Sequence, residues 1–468
     1  MTALLYRKEY SMKKIQFLLA LWAAKGSQMV LKLLGRNATY LPGKIAVRIC
    51  KDFLRHINTP KTVIAVTGTN GKTTVSNLLT SILRENGFSV TNNSFGSNVQ
   101  AGVISALAED TTFLGKPKKD IAVLEVDERS SLLIYPDLKP DYMVCNNIMR
   151  DSLKRNAHTE FISYIITKAL PASTKLVLNA DDLICARLGS DANQRVFFGL
   201  DCEKPSEDKP QHIRDIVYCP VCGSSLEAEY VRYNHIGRHY CGNCGLRSPL
   251  PDYCVTGIDR ANNTFTLRTG ENEYTFSLIN DNIVNIYNFS AAIAILSEIG
   301  LSMEQISKGF QASKIVKTRY DEIAAGPLNI TMLMAKGQNP IACARCYDYA
   351  ASVPGNDKCL ILIVDDKDDN IGNSESTCWL YDCDYSSLAD DSVNQIIFGG
   401  PRCKDHYLRA LLAGVDESKI KITESSAGAA KMFDSSISKN VLVLYELYRA
   451  ADAEKVKQDL IRIGTQEV

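Results

Sequence analysis

The sequence predicts an α/β protein of two sheet-centred domains, with a small cysteine-rich module inserted in the first. Three observations carry that expectation. Short apolar runs alternate with helical spacing over residues 61–200 and again beyond residue 326, the rhythm of parallel strands joined by crossover helices. A glycine loop, Thr67-Gly68-Thr69-Asn70-Gly71-Lys72-Thr73-Thr74, stands between the first apolar run and a helical segment. Two Cys-x-x-Cys pairs follow later in the first domain. At 468 residues the chain is too long for one core, and roughly two to three domains are expected.

Composition narrows the function classes. Lys plus Arg and Asp plus Glu number 53 each, so no overall field draws polyanions and nucleic-acid binding gets no support. An apolar content of 45% suits a packed globular chain. Met12-Lys13-Lys14 and the apolar run after it imitate a signal peptide. The phosphate-loop pattern and cysteines in metal spacing argue against export and for a cytoplasmic protein. Apolar residues also continue past Lys25, at Met29, Val30, Leu31, Leu33 and Leu34. An amphipathic helix that packs on the body, or touches a membrane surface, is the better reading. Met12 is a second candidate for the native start.

The elements follow in order. Residues 1–60 read as a helical lead-in, broken at Gly35 and at Leu41-Pro42-Gly43. Residues 61–313 form the first sheet domain, with strands at 62–66, 121–126, 142–146 and 175–179. A polar stretch at 201–215 reads as a surface excursion before the insert at about 216–250. Residues 264–278 alternate like a hairpin around Thr269-Gly270-Glu271-Asn272, and 287–299 read as a helix. The stretch 314–326 is the expected hinge. Residues 326–468 then supply five strands, at 328–335, 359–365, 395–399, 419–423 and 441–445, which suits a compact Rossmann-like domain.

The loop at residues 68–74 has the chemistry of a triphosphate cradle. Gly68 and Gly71 permit a tight turn that aims backbone N–H groups inward, and Thr69, Asn70 and Thr74 complete the loop. Lys72 reaches the terminal phosphates, and the Thr73 hydroxyl is a ligand for Mg²⁺. The sequence therefore implies ATP and Mg²⁺. Leu124-Glu125-Val126-Asp127-Glu128 ends a buried-type strand with carboxylates, of which Glu125 is the expected second Mg²⁺ ligand. In Asn179-Ala180-Asp181-Asp182, Asp182 is a candidate for ribose or metal, although a plain turn fits as well. Asn288 is suited either to an adenine edge or to a helix N-cap. Arg319, at the hinge, and Lys336, after the first strand of the last domain, are candidates to neutralise the γ-phosphate.

Cys219-Pro220-Val221-Cys222 and Cys241-Gly242-Asn243-Cys244 are separated by 18 residues, inside the zinc-ribbon window. Glycine follows the second cysteine of each pair, as Gly223 and Gly245. Four thiolates make a closed structural Zn²⁺ site that staples a module too small for its own core. Cys343 and Cys346 repeat the spacing inside a helical pattern and read as incidental. The histidines at 158, 212, 235, 239 and 406 form no recognisable triad or ligand set.

The variant Thr-Gly-Thr-Asn-Gly-Lys-Thr is how the Mur ligase family writes its phosphate loop. Taken with Leu34-Gly35-Arg36-Asn37-Ala38-Thr39-Tyr40-Leu41-Pro42-Gly43, with Arg150-Asp151-Ser152-Leu153, with the four-cysteine insert, with Tyr287 to Ala292 and with Lys336, Asn339, Pro340 and residues 379–384, it resembles the MurT family, the Mur-ligase-type subunits of lipid II isoglutaminyl synthases. The resemblance implies a Mur ligase central P-loop ATPase domain with a four-cysteine zinc-ribbon insert, then a Rossmann-like C-terminal domain that binds a partner. It also implies an ATP-dependent carbon–nitrogen ligase of peptidoglycan synthesis. Such an enzyme amidates the α-carboxylate of D-glutamate in the stem peptide of lipid II, through an acyl phosphate, with ammonia from a GatD-like glutaminase. An aspartate of the last domain completes the partner's site, which places the candidates at Asp366, Asp368 and Asp369 within 365–369. The family's Gly-Arg-x-Glu hinge stands here as Thr318-Arg319-Tyr320-Asp321-Glu322, without the glycine. Two other readings compete: a stand-alone ligase joining an amino acid to a carboxylate, and a non-catalytic ATP-binding scaffold.

Overall fold

The computed structural model describes residues 2–93, 97–151, 158–204, 214–312, 320–335, 339–365 and 377–466. They divide into two compact units, the second of which holds residues 315–468.

The first unit is organised on a nine-stranded sheet. Its parallel part consists of β1 (Thr62–Thr67), β2 (Val90–Asn92), β3 (Ile121–Glu125), β4 (Tyr142–Cys145), β5 (Lys175–Asn179), β6 (Arg195–Leu200) and β9 (Tyr253–Asp259), in the order β9-β6-β5-β4-β1-β3-β2. β10 (Thr264–Thr269) and β11 (Asn272–Ser277) extend the β9 edge antiparallel, closed by Gly270 at φ 59°. β1 is central, paired with β3 and β4, and its residues Val63 to Val66 are fully buried, as expected of a strand covered on both faces. Apolar patterning in the sequence marks β1, β3, β4 and β5 and the hairpin, but not β2, β6 or β9. Arg195–Leu200 and Tyr253–Asp259 each contain a glycine, Gly199 and Gly257, and are flanked by polar loops, so their pairing depends on the sheet beside them.

The lead-in folds as a helix, Thr2–Leu33, ended by Gly35 at φ 65°, with Gly35 N–H and Arg36 N–H bonding back to Lys32 and Leu31 carbonyls. Pro42 does not break a helix here. It starts the next one, Leu41–Ile49, where its missing N–H costs nothing. The insert contains its own hairpin, β7 (Glu227–Tyr233) and β8 (Ile236–Tyr240), turned at Asn234 with φ 53°. It interrupts the connection between the neighbouring strands β6 and β9.

The second unit is a six-stranded sheet built from β12 (Tyr320–Ala325), β13 (Leu328–Ala335), β14 (Lys358–Ile363), β15 (Val393–Gly399), β16 (Ile420–Thr423) and β17 (Asn440–Glu446), in the order β12-β13-β17-β14-β15-β16. All five expected strands are present. The sixth, β12, occupies part of the stretch read as a hinge. It pairs antiparallel with β13 through a turn at Gly326, φ 55°. In its sequence both alternate sets, Tyr320, Glu322 and Ala324 against Asp321, Ile323 and Ala325, mix polar and apolar residues, so this edge strand leaves little signal.

Candidate active site and metal centre

The phosphate loop leaves the carboxyl end of β1, the helix Lys72–Glu85 follows it, and the sheet's neighbours β3 and β4 end beside it. Ligands of open α/β sheets bind at this edge. Gly68 and Gly71 have φ of 117° and 87°, conformations that only glycine adopts freely. Space is also closed to a side chain: a Cβ on Gly71 would stand 2.2 Å from Asn288 Oδ1, and one on Gly68 would stand 2.9 Å from Asn147 O.

The loop is held in shape by the segment after β4. Thr69 N–H donates to Asn147 O at 2.8 Å, and Asn70 N–H to Asn147 Oδ1 at 3.0 Å. Thr69 Oγ1 donates to Met149 O and accepts from Met149 N–H at 2.9 Å. The first helical hydrogen bond runs from Val75 N–H to Gly71 O at 3.0 Å. The N–H groups before it, with the positive end of the helix dipole, are those an anion meets. Thr74 lies in that first turn.

Lys72 is buried. Its ammonium bonds to the Gly68 carbonyl and to Glu128 Oε1, the latter at 2.9 Å. Burial pulls its pKa down, but Glu128, with Glu125 and Asp127, outweighs burial and holds it above the ordinary lysine value. Thr73 Oγ1 donates to Glu125 Oε2 at 2.9 Å, and Glu125 is steadied by Asn98 Nδ2 and by paired backbone bonds with Asn93. A hydroxyl and a carboxylate that already touch are the hard oxygen donors Mg²⁺ selects, so Thr73 and Glu125 fit that ion. Glu128 was not singled out in sequence. Its signal was its place three residues after Glu125, in a turn that returns it towards Lys72.

Asn288 lies inside the helix Ile283–Glu298, not at its N-cap. The cap is Asn282, whose side chain accepts from Val284 N–H. Asn288 is buried, accepts from Asn146 Nδ2 at 2.7 Å, and faces Gly71. Asp182 follows β5 and is fully buried. It caps the short helix Leu183–Ala186 and accepts from Ile148 N–H at 2.7 Å and from His235 Nε2 at 3.2 Å. Its carboxylate thus faces the protein interior. Arg319, Lys336, Asp366, Asp368 and Asp369 lie outside the described residues. Their neighbour Asp365 is buried and ion-paired with Arg449 at 3.3 Å in the second unit.

The four insert cysteines converge. Their sulfurs all lie within 4.8 Å of one another, with Cys219–Cys244 and Cys222–Cys241 at 3.5 Å. A Zn–S bond of about 2.3 Å implies tetrahedral edges of about 3.8 Å. The two knuckles repeat one geometry: Gly223 and Gly245 at φ 74° and 77°, N–H bonds to Cys219 O and Cys241 O, and return bonds from Cys219 N–H to Ser224 O and Cys241 N–H to Leu246 O. The donor set fits a closed Zn²⁺ site. Cys343 and Cys346, by contrast, stand in the helix Pro340–Ser352, and no cluster includes them among the described residues.

The insert also carries a residue whose role has no signal in the sequence. His235, at the turn between β7 and β8, is fully buried between Asp182 and Asp215, whose Oδ2 lies 3.5 Å from Nδ1. That second contact is an ion pair too long for a well-formed hydrogen bond. Burial lowers the imidazole pKa, but the two carboxylates raise it to about 9. Gly237 N–H and Arg238 further fasten the hairpin to Asp181, which also accepts from Tyr287 OH at 2.7 Å. No spacing rule announces a histidine bridging aspartates 53 and 20 residues distant.

Residues 66–245 match the family model of the Mur ligase middle domain. The class is that of the ATP-dependent Mur-type ligases. Residues 337–450 match the model of the MurT ligase C-terminal domain. Lipid II isoglutaminyl synthase subunit MurT of Streptococcus pneumoniae is 30% identical, over 91% of this chain and 93% of its own. The same subunit of Staphylococcus aureus is 29% identical over 89% and 92%. The chain belongs to the MurT family. A pseudomurein peptide ligase of Methanothermus fervidus shares the fold, with a TM-score of 0.65 at 22% identity, covering 88% of this chain and 81% of that one.

Proposed function

We propose that the chain is the synthetase subunit of a glutamine-dependent lipid II amidating enzyme, working at the inner face of the membrane with a GatD-like glutaminase. The observation that supports it most directly is the prebuilt cradle at residues 68–74 in a chain similar over about nine-tenths of its length to a MurT subunit. ATP would lie with its phosphates on the N–H groups of Gly71, Lys72, Thr73 and Thr74. Lys72 would turn from Glu128 to the β- and γ-phosphates. Mg²⁺, held by Thr73 and Glu125, would supply charge neutralisation as phosphate leaves ADP. Asn288, against Gly71, is proposed at the adenine side. Asp182 supports the nucleotide loop through Ile148.

An α-carboxylate oxygen of D-glutamate attacks the γ-phosphorus, the bond to the β-phosphate oxygen breaks, and an acyl phosphate forms. Ammonia then adds to the acyl carbon, loses a proton and expels phosphate, leaving D-isoglutamine. Phosphorylation is needed because a carboxylate is a poor electrophile. Arg319 and Lys336 are proposed as the remaining cations, and Asp366, Asp368 or Asp369 as the residue that completes the partner's site. The buried pairing of Asp365 with Arg449 favours these three over it. The domain assignment that goes with this reading is a lead-in at 1–60, an ATPase domain at 61–313 and a partner-binding domain at 326–468.

The test is co-expression with a GatD-like protein, followed by mass spectrometry of lipid II given glutamine and ATP. Replacement of OH by NH₂, a loss of about one mass unit, is expected only with both proteins present. Amino-acid-dependent phosphate release without the partner would instead support a stand-alone ligase. Nucleotide binding with no turnover under any of these conditions would leave a scaffold.

A further inference from the structure

We propose that the outward face of the helix Thr2–Leu33 docks the protein on an anionic lipid bilayer. The helix is apolar on two sides. One side is consumed by the body: Phe17, Ala20, Leu21 and Ala24 are buried, and Gln28 Nε2 donates to Ser105 O at 2.8 Å. The other side leaves Ile15, Leu19, Trp22, Met29, Val30 and Leu33 exposed, from 46% at Trp22 to 79% at Leu33. Those positions recur at helical spacing along one stripe. The turn beside them adds Phe113 and Leu114, both more than half exposed, and Trp22 Nε1 ties that turn to the helix by donating to Phe113 O at 2.8 Å. An apolar surface this continuous on an otherwise well-packed unit marks an interaction site.

Charge decides the partner. The whole chain is neutral, yet residues 13–51 hold eight lysines and arginines and no aspartate or glutamate. Lys14, Lys25 and Lys32 fall along one flank of the stripe at helical spacing. Lys25 also donates to the Ala108 and Thr111 carbonyls and Lys32 pairs with Glu109, so Lys14 and, beyond the helix, Arg36 carry most of the charge offered to headgroups. Lys25 lies over the Phe113 ring at 5.7 Å. A protein partner needs a matched surface, whereas an apolar stripe edged by basic side chains is what an interfacial helix offers to acidic headgroups. No helix among the described residues is long and apolar enough to cross a membrane, so the contact is peripheral. The inference gives the lipid-borne substrate of the proposed function a surface to meet. It rests on that reading for its purpose and not for its observations.

The test uses the full chain and two vesicle compositions, phosphatidylcholine alone and phosphatidylcholine with phosphatidylglycerol. Sedimentation with the anionic vesicles only, reversed by high salt, is expected. A blue shift of the emission of Trp22 should accompany it, because Trp379 is buried already. An Ile15→Glu, Leu33→Glu double variant should weaken partition more than about tenfold, and Lys14→Glu or Arg36→Glu about fivefold each, with melting unchanged since all four side chains are exposed. Equal binding to both compositions, no binding, or full binding by the double variant overturns the proposal. So does conversion of a stable dimer to monomer by the double variant without effect on vesicles, which would make the stripe a contact between copies. A lipid II analogue with a short soluble tail separates the two readings. Vesicle binding with neither tail length amidated would remove the function and leave the docking supported.

Discussion

The phosphate loop and the cysteine knuckles solve one problem with opposite means. Each turns the backbone through a glycine with positive φ so that N–H groups face an anionic acceptor. The loop does so on a finished scaffold. Fully buried strand residues lie behind it, and Asn147 and Met149 bond its amides and hydroxyl without any ligand. The knuckles have little core: Cys219 and Cys241 are buried, but Cys222 and Cys244 are exposed, and β7 begins with three exposed residues. One anion site is preorganised, so ligand binding there serves chemistry. The other has a donor set that fits Zn²⁺ and little packing around it, so ion binding there would be folding.

The largest expected effect tests the preorganised side. Lys72→Ala should lower ATP-dependent turnover by about a thousandfold, since a cationic phosphate contact strengthens in the transition state. It also strands Glu128 in the interior, at a cost of about 3 kcal/mol. Adding Glu128→Gln should restore melting without restoring turnover. A single variant that keeps full turnover would show that Lys72 does not touch phosphate.

Cys219→Ser, or chelation of purified protein, should release stoichiometric zinc and strip amide-exchange protection from residues 216–250. Protection of β1 and β3 should persist. Collapse of both together would mean that the insert and the sheet fold as one unit, and that the two anion sites do not differ in how they are built.

His235 joins the two regions, through Asp182 to Ile148 and so to the segment that holds Thr69. Its folded pKa is about 9 against an ordinary 6.5. The stability it contributes is therefore complete below about pH 6.5 and is lost as pH rises through about 9, with an upper bound on the order of 3 kcal/mol. His235→Gln should flatten that part of the melting-temperature profile. An unchanged slope would mean that the imidazole is neutral between its two carboxylates.

The local chemistry was legible in sequence because it is written in short spans. Gly68, Gly71, Lys72 and Thr73 carry their geometry in consecutive residues, and Cys219, Cys222, Cys241 and Cys244 in paired spacing, so both sites and the buried strands β1 and β3 to β5 could be placed without coordinates. What only the tertiary structure decided is which distant groups meet. Edge strands such as β12 exist because a neighbour offers unpaired backbone. Glu128 was chosen over its neighbouring carboxylates by the turn that aims it at Lys72. Asp182 was committed to the interior, and Asn288 to Gly71 in place of a helix cap, by the packing of β4, β5 and the Ile283–Glu298 helix. His235 acquired its charge only from two aspartates brought to either side of it. Periodicity and turn residues encode the first kind of information locally, whereas burial and Coulomb interaction depend on separations that the chain fixes only when it is folded.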